Sequence, residues 1–163
     1  MSAMFEDKVL NPNLSFRPMH IGDLDAIMQI EPTIYSHPWT CGNFSDSLNS
    51  GYSAWVLQDK IQADKSEIIG YALMMLVMDE AHLLNLSIAK HRQKQGLGRQ
   101  LLEHMIYIAK RHKSANMFLE VRTSNISAIA LYENIGFNEM AIRRGYYPSQ
   151  NGREDAVLMG LAL

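Results

Sequence analysis

The 163-residue sequence predicts one mixed α+β domain, with a long central hairpin and helices in both halves. Three observations carry that expectation. Ile68–Met78 is dense in β-branched and large apolar residues and is followed by a turn at Asp79-Glu80, from which His82–Ile88 returns as its hairpin partner. Leu97–His112 then has apolar residues at 97, 101, 102, 105, 106, 108 and 109, the stripe of an amphipathic helix of about four turns. No repeat, low-complexity stretch or compositional break divides the chain, and its length suits a single core.

The remaining elements follow in order. Residues 1–13 are a polar leader ending in Asn11-Pro12-Asn13, and 14–163 form the domain. Leu14–Arg17 reads as a short strand ended by Pro18. Leu24, Ile27, Met28 and Ile30 give Asp23–Glu31 a helical spacing that stops at Pro32. A short helix follows over Cys41–Leu48, a strand over Ser53–Gln58, and a polar turn over Gln58–Glu67. After the long helix, Met117–Val121 is a short buried strand and Ile126–Ile135 a second helix with Gly136 as its C-cap. Phe137–Arg144 and Asp155–Leu161 close the chain as strands.

Composition excludes several classes. The charge of −2 lacks the basic excess that neutralising phosphates requires, so no nucleic-acid partner is expected. The longest strongly apolar run, Ile68–Met78, is too short to span a bilayer, and the N-terminus lacks the order of a signal peptide, so no membrane partner is expected. Cys41 is the sole cysteine, which rules out an intrachain disulfide and fits the cytoplasm. The six histidines show no ligand spacing, and no metal is expected.

The segment Gln93–Arg99 (QKQGLGR) carries the chemistry. Gly96 and Gly98 lie where a strand gives way to a helix, and a helix N-terminus has unpaired N–H groups and partial positive charge that attract phosphate. Glycine removes the Cβ that would hold a phosphate away. Gln93, Lys94 and Arg99 add donors and charge. A phosphate-binding P-loop is excluded because no Gly-Lys-Ser/Thr ends the segment. A dinucleotide fingerprint is excluded because position 101, where a third glycine belongs, is leucine. The hairpin ahead of the loop also argues against a βαβ unit here.

What remains, Gln93-x-x-Gly96-x-Gly98, resembles the pyrophosphate motif of the GNAT acetyltransferases, Arg/Gln-x-x-Gly-x-Gly/Ala between a strand and a long helix. Asn125, Ala128, Tyr132 and Gly136-Phe137 match, in register, the family's N-x-x-A-x-x-x-Y helix and following G-F pair. The run LEVRTSNISAIALYENIGF, with IRRGYYP, EDAVLM and Pro38-Trp39, is similar to the members that acetylate the N-terminal alanine of a small-subunit ribosomal protein. The likeness spans roughly residues 15–162. Gly145 departs from it, standing where those members carry asparagine.

The resemblance implies a twisted, mostly antiparallel sheet of six to seven strands flanked by about four helices, splayed at the cofactor site. It implies acetyl-CoA as co-substrate, with the pantetheine arm along Leu86-Ser87-Ile88 and one N–H of that strand stabilising the oxyanion. The pyrophosphate would lie on Gln93, Lys94, Gln95, Gly96, Leu97, Gly98 and Arg99, with Asn125 and Tyr132 at the cofactor.

The acceptor must attack as a neutral amine. An α-amine, with a pKa of roughly 8 against about 10.4 for lysine, is already about one-tenth neutral at pH 7, so a modest base suffices. Glu120 is the candidate base, emerging after buried Met117-Phe118-Leu119; the plain alternative is a surface carboxylate paired with Arg122. Tyr132 is the candidate acid for the departing thiolate; the alternative is a core aromatic. Trp39, Tyr146 and Tyr147 are candidates to line a peptide groove or to pack beneath a loop. Glu154 and Asp155 either receive a cationic peptide or begin an edge strand. Two other functions share the same features: acetylation of a small-molecule amine, and non-catalytic CoA binding.

Overall fold

The computed structural model describes residues 11–163, so most of the expected leader lies outside the described residues. Seven strands run as β1 (Leu14–Pro18), β2 (Ser53–Gln62), β3 (Lys65–Val77), β4 (Glu80–Ile88), β5 (Asn116–Arg122), β6 (Asn138–Ser149) and β7 (Gly152–Ala162). Four helices accompany them: α1 (Leu24–Ile34), α2 (Cys41–Asn49), α3 (Leu97–Arg111) and α4 (Ile126–Ile135). The strands form one sheet in the order β1-β2-β3-β4-β5-β7-β6. Every neighbouring pair is antiparallel except β4 and β5, which are parallel.

Each face of the sheet builds its own core. Ile69, Ala72 and Met74 of β3 meet the α3 stripe, whose buried positions are the seven that the periodicity marks. Tyr71 and Leu73 point the other way, into a second core with Ile27 of α1 and Phe44 of α2. A strand covered on both faces reads as an unbroken apolar run, which explains Ile68–Met78. β5 shows the alternation instead: Met117, Leu119 and Val121 are buried, while Phe118, Glu120 and Arg122 face the side that α1 and α2 leave open.

Several expectations need correction. Helix α1 continues through Pro32 to Ile34: the proline lies in the last turn, where its lost N–H bond and its crowding of the Met28 carbonyl affect only the helix end, and Tyr35 N–H still reaches the Glu31 carbonyl at 3.2 Å. The polar segment 58–67 is a hairpin arm, with Asp59 opposite Glu67 and Lys60 opposite Ser66. It lies beyond the helices with most of its residues exposed, so alternation has no core to report. The C-terminal strands likewise extend to a tip at residues 150–151, which puts Tyr146 and Tyr147 within β6. Asp155 begins no edge strand, since β7 lies between β5 and β6. Finally, β4-α3-β5 is a βαβ unit despite the hairpin before it: β4 closes the hairpin with β3 and opens the crossover to β5.

His104 of α3 stacks on Phe16 at 4.2 Å between ring centroids and meets Trp55 edge-on at 4.6 Å. Burial holds its imidazole down at about 4, against an ordinary 6.5. The unfolded chain therefore takes up this proton below about 6.5 while the folded chain resists until about 4. Stability that is present in full above 6.5 is lost as the pH falls through that window. Denaturant titrations at pH 7 and pH 5 should show wild type losing about 1 kcal/mol more than His104→Phe, after discounting for partial solvation.

Candidate active site

The site is made by strands that part. The β4–β5 ladder ends at Leu83 opposite Leu119. Beyond it β4 stays on β3 as far as Ile88, and β5 stays on β7 as far as Arg122. Leu84, to 88 on one side and 120 to 122 on the other thus form the walls of a V, with β4 backbone groups facing the gap unpaired by β5. Leu84 is also a bulge, since Leu83 opposes Met74 and Asn85 opposes Leu73. The extra residue changes which face the later side chains take, so Asn85 and Ser87 turn toward α1 and are buried there. Ser87 donates to Asn85 Oδ1 at 2.6 Å, and the Tyr35 hydroxyl reaches Ser87 Oγ at 2.8 Å and the Leu86 carbonyl at 3.2 Å. Burial raises the Tyr35 phenol to about 12.

At one end of the V stands the glycine loop. Gly96 has φ +77° with open space where a Cβ would sit, and α3 starts at Leu97 with no side chain capping its first N–H groups. Gly98 serves packing as well: a Cβ there would touch Leu131 of α4 at 3.6 Å. The other loop side chains divide differently from the expectation. Gln93 donates back to the Ile88 carbonyl at 3.0 Å, Gln95 accepts from Arg92, and Arg99 pairs with Glu103 at 2.9 Å. Leu97 is buried, so it can offer a ligand only its backbone. Arg92, not singled out from sequence, ties the loop to Asp59 at 2.7 Å.

A cavity of about 700 Å³ runs from this loop along Ser87 and Ile88 to α4. It meets a second, of about 310 Å³, that includes Trp39, Glu120 and Tyr147. Tyr35, Leu86, Asn125 and Tyr132 line both. A third, of about 290 Å³, lies on the open face of the sheet among Trp39, Phe118, Glu120, Tyr146 and Tyr147.

Tyr132 stands at the junction. Asn125 caps α4 by accepting from Ala128 N–H at 3.3 Å, and the helix ends at Gly136 with φ +119°. Phe137 N–H bonds the Tyr132 carbonyl at 3.0 Å, and the Phe137 ring lies 5.7 Å from that of Tyr132. The side chain is thereby fixed from below, while its hydroxyl has no hydrogen-bond partner among the described residues. Burial first, then the neighbouring Tyr35 and Tyr147, pushes the phenol up, so it keeps its proton at any ordinary pH.

Glu120 emerges on the acceptor-side wall. Its carboxylate is 3.2 Å from Arg143 Nε, and its proximity to the Tyr146 hydroxyl raises that phenol. The alternative pairing with Arg122 does not form. Arg122 instead donates to the Pro148 carbonyl at 2.8 Å, pairs with Glu154 at 3.3 Å, and lies 4.5 Å from the Tyr147 ring. Burial holds the Tyr147 phenol up at about 12. Glu154 accepts Ser124 N–H at 2.8 Å and Asp155 accepts Gly145 N–H at 2.8 Å, so both acids work as internal struts. Trp39 packs on Phe44 at 5.2 Å and borders the two smaller cavities, and all three aromatics expected at a groove thus lie around Glu120.

One residue escaped the sequence reading. Glu31 is 1% exposed and lines the 310 Å³ cavity. Its signal was present: Leu24, Ile27 and Glu31 share one helical stripe, so an acid occupies a core position. Among the described residues, no group of acids, histidines or cysteine is disposed to hold a metal, and no helix is long and apolar enough to cross a membrane.

Comparison with known proteins agrees with this architecture. Residues 24–137 match the acetyltransferase (GNAT) family. The chain is 41% identical over 141 residues to the [ribosomal protein bS18]-alanine N-acetyltransferase of Escherichia coli (strain K12), covering 86% of this chain and 92% of that protein. Its identity to the protein of the same name from Haemophilus influenzae is 39% over 142 residues, covering 86% and 93%. The crystal structure of the ribosomal-protein-S18-alanine N-acetyltransferase from Escherichia coli superposes with a TM-score of 0.82 at 40% identity, over 91% of this chain and 93% of that one. Arabidopsis thaliana NAA60 in complex with acetyl-CoA shares the fold, with a TM-score of 0.82 at 20% identity over 92% and 99%. The chain belongs to the GNAT acetyltransferase family and is an acetyl-CoA-dependent N-acetyltransferase.

Proposed function

We propose that the acceptor is the α-amine of a protein N-terminus, specifically the N-terminal alanine of a small-subunit ribosomal protein. The observation that carries this reading is the pair of cavities meeting at Tyr132, one running to the glycine loop and the other opening past Glu120 between Trp39 and Tyr147. A small-molecule amine calls for a closed pocket, whereas this cleft continues onto the sheet face toward Phe118 and Tyr146, leaving room for a chain. The relatives named for bS18 alanine acetylation support the same acceptor, which would place the reaction in the cytoplasm.

The loop end of the cleft suits acetyl-CoA. The space beside Gly96 and the uncapped N–H groups of α3 would hold the pyrophosphate, with Lys94 adding charge. The edge of Leu86-Ser87-Ile88, which β5 does not pair, would take the pantetheine arm as an added strand. Gln93, Gln95 and Arg99 act chiefly by holding the loop's shape, and Asn125 by starting α4 at the junction. Acetyl-CoA supplies the thioester acyl group. Glu120 accepts a proton from the arriving amine, directly or through water, and Tyr132 delivers its proton to the departing sulfur. Transfer is direct, with no acyl group held on the protein. Trp39, Tyr146 and Tyr147 flank the acceptor chain.

The test is a peptide panel differing only in the first residue, incubated with acetyl-CoA and read by mass. Faster acetylation of the alanine peptide is expected. Equal rates across the panel would overturn the alanine assignment, and no acetylation of any α-amine would overturn the acceptor class.

A further inference from the structure

Glu31 is a charged side chain deep in an apolar core, and the acid–base chemistry above does not use it. A buried carboxylate carries a desolvation penalty that only specific hydrogen bonds offset, so its partners indicate its purpose. Oε1 accepts the Trp39 backbone N–H at 3.0 Å. Oε2 accepts the hydroxyl of Tyr71, a fully buried residue of β3. Tyr71 is the register partner of Ser87 on β4, and Ser87 bonds Tyr35, which bonds the Leu86 carbonyl. Two polar links, Trp39–Glu31–Tyr71 and Ser87–Tyr35–Leu86, therefore meet at a register pair beneath the cleft, between the acceptor wall and the β4 wall.

With its two oxygens the Glu31 carboxylate holds the Trp39 backbone on one side and the β3 residue Tyr71 on the other. The loop 35–40 between α1 and α2 has no strand partner of its own; Tyr35 ties its start to β4, and Trp39 N–H ties its far half to Glu31. On the other side, Tyr71 is fixed by the β2–β3–β4 ladder and by packing edge-on against Phe44 at 5.7 Å. The anchor is rigid, and what it holds is a loop.

We infer that Glu31 is a positioning residue for the acceptor site, setting the distance between Trp39 and β4 and so the width of the cleft that receives the substrate chain. The inference rests on the proposed peptide acceptor, but its structural half stands apart from it. The pyrophosphate and nucleotide of acetyl-CoA would lie at the glycine-loop end of the V, away from Glu31, so acetyl-CoA affinity should change far less than peptide affinity.

The experiment compares Glu31→Ala, Glu31→Gln and Tyr71→Phe with wild type. Glutamine retains an oxygen for Trp39 N–H and an amide that donates to the Tyr71 oxygen, so it should rescue. Removing a hydrogen bond to a charged group predicts a rise of about tenfold or more in peptide KM for Glu31→Ala, a smaller one for Tyr71→Phe, and about twofold for Glu31→Gln, with acetyl-CoA KM changing far less. Equal rises in both KM values, or loss of kcat alone, would overturn the inference as a general structural defect. Acrylamide quenching in a Trp55→Phe background, where Trp39 is the sole tryptophan, reads the loop without any acceptor. Quenching of Trp39 should increase about twofold or more in Tyr71→Phe and Glu31→Ala as the charged bond is lost, and unchanged quenching would refute the positioning role. Should wild type acetylate no peptide, the acceptor reading fails, and the quenching result still decides whether Glu31 holds Trp39.

Discussion

Glu120→Gln acetylates an N-terminal peptide about 100-fold more slowly than wild type at pH 6, and within about tenfold of it at pH 9. The shrinking deficit follows from the acceptor. With an α-amine pKa of roughly 8, about one amine in a hundred is neutral at pH 6 and about nine in ten at pH 9. A base matters most where the proton must still be removed. Glutamine keeps the size of the side chain and an acceptor oxygen toward Tyr146. The ion pair it loses, to an Arg143 that is half exposed, contributes under about 1 kcal/mol, so the fold should be indifferent. Rates of kcat/KM against pH make the measurement. A deficit that is constant from pH 6 to 9 would assign Glu120 to binding instead of proton transfer.

Tyr132→Phe should lower kcat by about 10²- to 10³-fold while leaving acetyl-CoA KM and thermal stability near wild type. The phenylalanine ring keeps the contact with Phe137, and the hydroxyl that is removed has no partner among the described residues, so no internal hydrogen bond is broken. Because burial pushes the phenol up, the proton is present throughout the working range. The wild-type kcat profile should therefore show no alkaline fall from Tyr132 up to pH 9. A variant within threefold of wild-type kcat would remove Tyr132 from the chemistry, and a steep fall near pH 8 would contradict its protonated state.

The parts of this architecture that were legible in the sequence are those packed against a core on one face or both. The α3 stripe, the apolar run of β3 and the Gly136-Phe137 stop of α4 each follow from a local rule with a unique solution. The 58–67 arm is not legible as strand because it projects beyond the core, and alternation says nothing about a strand with water on both sides, whereas in 144–149 Gly145 and Pro148 interrupt the local pattern. The βαβ crossover was misread for a different reason: whether β4 pairs on one edge or two is a question of topology, which periodicity does not address.

The candidate site divides in the same way. Glu120, Tyr132 and Asn125 were found because a family pattern marks them, and they do border one cleft. Their partners were not legible. Arg143 and Tyr146 reach Glu120 from a strand that is more than twenty residues away, and Arg122 turns to Glu154. Gln93 and Arg99 each carry an internal partner, the Ile88 carbonyl and Glu103, that composition could not name. Glu31 shows the reverse, a helix-stripe anomaly that was visible but passed over.

The most direct test of the account uses one peptide with a free N-terminal alanine and an internal lysine, incubated with acetyl-CoA and wild-type protein and located by tandem mass spectrometry. The geometry of a cleft open to a chain end, with a base suited to an α-amine, predicts acetyl groups on the N-terminal nitrogen. Acetylation at the lysine side chain, with the α-amine untouched, would contradict it.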